Sequence, residues 1–250
     1  RHVSTFRRTP IVWLVIAAWI GVHAAALVLA GRTSVEGAPW YAWGMVPEDL
    51  LRRLGADVPA LVRLGEERRV LTYAFLHGMA LNLLLGIWIL WGSGRQLETV
   101  LGSARFWIVF VLSVAGGGIA HAVWGAGALV GGWPAIVGIL GALLAWAFLS
   151  PDPAARASRG STVLFLLILG ALAFAFGGQL WAELGGLVAG AVGMALFKPW
   201  AGFAPAGSGA KAMALALMVL VVGAGGLQAF ATRTVDTNDA ATFLRDLAAA

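Results

Sequence analysis

The sequence predicts an all-α membrane protein, a bundle of seven transmembrane helices, on three observations. Hydrophobic residues make up 60% of the 250 residues and charged residues 12%, outside the balance of soluble domains. Seven apolar runs approach the length of about 20 residues that a helix needs to cross the hydrocarbon core. Lys and Arg gather in alternate connections between those runs, the asymmetry that sets orientation in a bilayer.

The runs fall at about 10–30, 71–94, 104–124, 134–150, 161–178, 180–198 and 211–231. The first follows Arg1, Arg7 and Arg8. It is too long for a secretion signal and ends without a small-x-small cleavage site, so a retained anchor is expected. The connection 31–70 is too long to be a simple link. Within it, Pro47 opens a short segment with Glu48 and Asp49 in the first turn and Leu50, Leu51 and Leu54 clustered. That pattern predicts an amphipathic helix lying at the interface. Trp40, Tyr41 and Trp43 suit the headgroup region, as an anchor or as a substrate contact. The fourth and fifth runs are somewhat short. The fifth and sixth are separated by little more than Gly177-Gly178 and predict a tight hairpin. The 34 glycines fit helices that approach closely.

With the N-terminus inside, the inner segments hold nine basic residues against two acidic ones, and the outer segments eight against nine. The expected organisation is therefore a cytoplasmic tail at 1–9 and a six-helix domain at 10–198 that includes the outer loop 31–70. A cytoplasmic linker at 199–210, a seventh helix at 211–231 and an outer, periplasmic tail at 232–250 complete it. A bacterial inner membrane is the expected location. The net charge of +5 belongs to the inner loops, so no nucleic-acid partner is expected. With no cysteine, thiolate chemistry and disulfides are excluded.

Glu183 is the carboxylate in the middle of a predicted span. A charge there costs about 2.5–3.5 kcal/mol or more unless paired, hydrated or protonated. It is expected to face Asn82 or backbone across a small wet cavity, to contact a partner within the membrane, or to carry protons. Glu183, His77 and Asn82 form the one conceivable metal cluster, too small a ligand set to predict a metal. No cofactor is expected.

Several segments then resemble the rhomboid family of intramembrane serine proteases. These are Arg69-Val-Leu-Thr-Tyr-Ala-Phe-Leu-His-Gly78, Leu90-Trp-Gly-Ser-Gly-Arg-Gln-Leu-Glu98, Leu101-Gly-Ser-Ala-Arg-Phe106 and Gly116-Gly-Gly-Ile-Ala-His121. Gly138-Ile-Leu-Gly-Ala142 and the glycines 185, 186 and 190 come next, in the family's order. The resemblance covers about Thr72 to Phe197 and implies a rhomboid-like six-helix bundle, here with one extra C-terminal helix. It also implies a Ser nucleophile on the fourth helix, a His base on the sixth, and a His and an Asn on the second that stabilise the oxyanion.

Carried across residue by residue, the nucleophile position falls on Trp133 and the base on Glu183. The oxyanion pair falls on Asn82 and Gly86. Indole carbon cannot be acylated, and Pro134 beside it has no N–H to offer an oxyanion. The resemblance thus implies a pseudoprotease, with no catalytic residues in the degenerate positions. Trp133, Glu183, Asn82 and His77 become candidate contacts to a client or partner. Gly138, Gly141, Gly186 and Gly190 become packing residues, Gly186 and Gly190 on one helix face.

The expected function is a non-proteolytic binder of transmembrane helices of client proteins, or an accessory subunit of a membrane complex, surrounded by lipid and of open oligomeric state. The alternative is an active intramembrane endopeptidase with a relocated nucleophile, Ser93 or Ser113. A proton-coupled transporter around Glu183 lacks the inverted repeats expected of many such proteins. His121 is expected to pack or hydrogen-bond, and His77 to support a loop.

Overall fold

The computed structural model describes residues 9–33, 44–151, 153–175, 179–197 and 207–234. Trp40, Tyr41, Trp43, the Gly177-Gly178 turn and nearly all of the predicted tails and linker lie outside the described residues. The helices are α1 (Pro10–Thr33), α2 (Glu48–Leu54), α3 (Pro59–Arg63), α4 (Arg69–Thr72), α5 (Ala80–Ile89), α6 (Arg95–Leu101) and α7 (Ser103–Trp124). They continue as α8 (Trp133–Leu149), α9 (Pro153–Ala157), α10 (Arg159–Ala175), α11 (Leu180–Leu196) and α12 (Ser208–Thr234).

Three helices, α1, α7 and α12, are long and apolar enough to cross a membrane unaided, whereas α8, α10 and α11 are shorter apolar helices. A 17-residue helix such as α8 spans only about 25 Å at 1.5 Å per residue. Burial ranks them. The apolar stretch of α7 is 72% buried and that of α12 only 11%, so α7 is the central post and α12 lies at the periphery.

Glycine lets α11 sit against its neighbours. A Cβ on Gly186 would collide with the Pro134 carbonyl group, its carbon 2.8 Å away, and one on Gly190 would lie 2.5 Å from the Gly138 carbonyl carbon. A Cβ on Gly138 would meet the Ser113 side chain and the Gly186 carbonyl oxygen, and one on Gly141 the Leu187 carbonyl. The backbones of α8 and α11 are thus in direct contact, the geometry small residues permit in bilayers.

The second span departs from its sequence expectation. The apolar run from 71 predicts continuous helix, but α4 passes into a 3-10 turn at Tyr73–Phe75, and Leu76 and Met79 are extended before α5 begins at Ala80. Distant backbone explains the break: the Ala80 N–H donates to Gly44 and the Val46 N–H to Gly78. At its other end, α5 runs through a π turn at Leu90–Gly94 into α6, and Gly102 (φ 76°) closes α6 and opens α7.

Two clamps hold this framework. Glu98, 1% exposed, accepts the Ile11 N–H (3.1 Å), the Val12 N–H (3.0 Å) and the Ser103 hydroxyl (2.7 Å). It thereby satisfies donors at the start of α1 that no helical turn can reach. Burial nonetheless holds the Glu98 carboxyl above the ordinary carboxylate range, the three hydrogen bonds acting in the opposite direction.

The second clamp is Arg69. Its Nη1 donates to the Arg52 (2.6 Å) and Ala56 (2.8 Å) carbonyls, and its Nε to Glu66 (2.8 Å). It pins the end of α2, which Gly55 terminates at φ 110°. The predicted amphipathic helix is therefore present and packed onto the bundle, with Leu51 buried beside Ala26, Val46, Ala56 and Leu76.

Candidate functional site

The segment before α8 sets the site. Gly131 adopts a left-handed turn (φ 101°) and donates its N–H to the Tyr73 carbonyl at 3.0 Å. Gly132 then caps α8, so Trp133 and Pro134 occupy the first turn, where a missing proline N–H is tolerated. Trp133 is half-buried and packs on the core.

Helices α7, α8 and α11 converge immediately below. A Cβ on Gly117 would meet the Pro134 ring, the Tyr73 hydroxyl at 2.8 Å and the Ala182 carbonyl at 3.0 Å. Glu183 sits one residue beyond Ala182 and one turn before Gly186, which itself contacts Pro134. Trp133 and Glu183 therefore emerge at the same level of the bundle, from the first turns of α8 and α11. Glu183 is half-buried, and its carboxylate has no hydrogen-bond or ion-pair partner among the described residues.

The expected apposition of Glu183 and Asn82 is not found as a hydrogen bond among the described residues. Asn82 is exposed near the start of α5, while Leu83, Gly86 and Ile89 turn inward. Because α5 starts at Ala80, Asn82 lies in its first turn.

Facing Gly86 is Trp19 of α1, a residue that sequence reasoning passed over. Its indole is fully buried, and a Cβ on Gly86 would lie 3.4 Å from Trp19 Cζ3 and 3.6 Å from Ile136. The same ring fills the space at Gly132, where an added Cβ would fall 2.6 Å from Cη2. His77, 2% exposed, meets Trp19 edge-on at a ring separation of 5.0 Å. The His77 carbonyl accepts from His23 Nδ1 at 3.1 Å. One indole thus links α1, α5 and the turn before α8.

The hydroxyls are occupied elsewhere. Ser113 donates to the Val109 carbonyl (2.8 Å) from a fully buried position, and Ser93 to the Ile89 carbonyl (2.7 Å). His121 turns towards the outer loop, with Nδ1 3.5 Å from Asp57 Oδ2 and both side chains fully buried. The Asp57 and Leu129 backbones exchange hydrogen bonds of 3.0 and 2.8 Å beside it. This approach sets the Asp57 loop against α7, and no serine is hydrogen-bonded to His121 among the described residues. No group of three or more His, Cys, Asp or Glu converges among the described residues either.

Similarity to known proteins agrees with this architecture. A family model described as the Rhomboid domain matches residues 65–200. A Bacillus subtilis (strain 168) protein named Rhomboid protease GluP is 31% identical over 133 residues, which cover 53% of this chain and 26% of that protein. An Arabidopsis thaliana protein named RHOMBOID-like protein 5 is 35% identical over 97 residues, 38% of this chain and 31% of that one. The matches thus span about a quarter to a third of the length of these curated relatives.

Proposed function

This chain belongs to the rhomboid family, and on that premise we propose that it is an integral membrane protein that has kept the bundle and lost the serine-protease reaction. Its role is to bind transmembrane helices of client proteins or to serve as an accessory subunit of a membrane complex. The observation that carries this reading is the pair of indoles. Trp133 stands where the family resemblance assigns the nucleophile. Trp19 fills the space beside Gly86 and Gly132, where a scissile carbonyl and its stabilising donors would have to meet.

A tetrahedral intermediate needs donors about 3 Å from its oxyanion and an attacking atom beside it. Gly86 offers no side chain, Pro134 no N–H, and the indole ring occupies the volume. Glu183 retains basicity but is without a hydroxyl to activate. We read it, with Trp133 and the exposed Asn82, as polar and aromatic contacts for a partner helix, since side-chain hydrogen bonds between membrane helices contribute about 0.6–2 kcal/mol each. The buried His77 supports them from behind. The charge asymmetry supports an N-in, C-out orientation, and a bacterial inner membrane is the location assigned in this reading.

The test is a pair of measurements on the purified full-length protein. A serine-directed fluorophosphonate is expected to leave it unlabelled, and a model transmembrane substrate is expected to remain intact. Labelling or cleavage that disappears on Ser93→Ala or Ser113→Ala would instead establish an active endopeptidase, the activity that one relative's name carries. Photocrosslinking from position 133 or 183 in native membranes, followed by affinity capture, separates the two binding roles. A single stoichiometric complex supports the subunit role and a spread of membrane proteins the client role.

A further inference from the structure

We propose that the cavity between α1, α4 and α12 is a binding site for an acyl chain of an anionic phospholipid, with the phosphate held by Arg53. The cavity has a volume of about 320 Å³. Val22, Ala25 and Leu29 line it from one face of α1, and Val221 and Gly225 from one face of α12. Small residues at 25 and 225 open the space between two helices that would otherwise pack together.

The walls select the occupant. An unfilled void forfeits dispersion contacts on every side. Water needs two to four polar partners to stay in such a space. The polar groups at the rim are already committed: the Thr72 hydroxyl donates to the Gly55 carbonyl (2.8 Å), and Gln228 Nε2 donates to the Arg53 carbonyl (2.6 Å). A hydrocarbon chain is the apolar molecule available between membrane helices.

Charge selects the headgroup. Arg52 is paired with Glu48 at 2.6 Å, Arg68 is held by Glu66 (2.9 Å) and Gln228 (2.8 Å), and Arg69 is buried in its clamp. Arg53 is exposed, and its guanidinium has no partner among the described residues. It adjoins Leu54, which lines the cavity, and its carbonyl accepts from Gln228, another lining residue. A guanidinium binds phosphate through two parallel N–H bonds. Because lipid tails are as apolar as the walls, selectivity rests on this contact and on shape. Arg53, α1 and α12 lie outside the matched residues 65–200, whereas Leu71, Thr72, Phe75 and Leu76 on the facing wall lie within them.

The test uses the full-length chain in mixed bilayers and phosphatidylglycerol carrying a diazirine at the end of one tail. Gly225→Leu places a side chain at the cavity wall, where nothing lies within 4 Å of the added Cβ. Arg53→Gln removes the charge on an exposed side chain. Expected are labelling confined to residues 22–29 and 221–229, one retained phosphatidylglycerol per chain by native mass spectrometry, and about tenfold weaker retention of phosphatidylcholine. Both variants are expected to lower phosphatidylglycerol retention by about the same factor. If Gly225→Leu fails to fold, Arg53→Gln alone decides. Labelling spread evenly around the bundle, equal retention of the two lipids, retention unchanged in Arg53→Gln, or a protein helix crosslinked in the cavity would overturn the proposal.

Discussion

Replacing Gly190 by Ala adds one methyl group where α11 meets α8 backbone to backbone. The added carbon would overlap the Gly138 carbonyl oxygen and lie 2.5 Å and 2.8 Å from its carbon and Cα. Carbon atoms rest at about 3.5–4.0 Å, so the helices must part by roughly 1 Å. No side-chain rotation relieves this, because the obstructing atoms are backbone. Overpacking of this kind costs about 1–3 kcal/mol, with the upper half expected here. Alanine returns about 0.5–1 kcal/mol of helix propensity, leaving a net loss of about 1–2 kcal/mol. For a chain of this size that lowers the melting temperature by about 2–8 °C. Gly223→Ala in α12 is the control, since nothing lies within 4 Å of its added carbon. It is expected to stabilise by about 0.5–1 kcal/mol. Thermal unfolding of both variants in one detergent reads the contrast. A Gly190→Ala protein that melts at or above wild type would refute the claim of backbone contact.

Three further outcomes are expected. Because the folded Glu98 carboxyl sits above its ordinary value of 4.5, the folded state binds that proton more tightly. Its contribution is therefore full below about pH 4.5 and is lost as pH rises through the elevated value, a slope that Glu98→Gln should abolish in pH-dependent melting. Arg69→Met should lower stability by about 3 kcal/mol by freeing the Arg52 and Ala56 carbonyls; hydrogen exchange at residues 48–57 should rise, and unchanged protection there would count against the clamp. A double-mutant cycle of Asp57→Asn and His121→Asn should give a coupling of about 1–3 kcal/mol, whereas additive losses would mean that the pair at 3.5 Å contributes nothing jointly.

The three longest spans, α1, α7 and α12, were legible because a run of twenty apolar residues has few other uses. The glycines at 186 and 190 were legible too, since their spacing puts both on one face. The break before α5 was not. Residues 73–79 are an apolar run interrupted by His77 and Gly78, too brief an interruption to announce an extended stretch. The extended stretch is set by hydrogen bonds from Val46 to Gly78 and from Ala80 to Gly44, which no local pattern announces. Asn82 was less legible: spacing puts it over Gly86, yet Gly86 is buried and Asn82 exposed. Trp19 is one apolar residue in an apolar run, and nothing in its local sequence distinguishes a residue wedged against Gly132 from one facing lipid. The helix at Glu48–Leu54 was readable, while its anchorage by Arg69 from 17 residues downstream was not.

The cap that Glu98 places on α1 also imposes a schedule on synthesis. The first span is made 86 to 87 residues before the carboxylate that satisfies its leading N–H groups. At about 5–20 residues per second, α1 waits roughly 4–17 s in the membrane with those donors open. Only when the α6–α7 junction has been translated can its end be fastened. The amino end of α1 is thus fastened only by a residue of α6, which directly precedes α7, so its cap depends on a helix made much later in the chain.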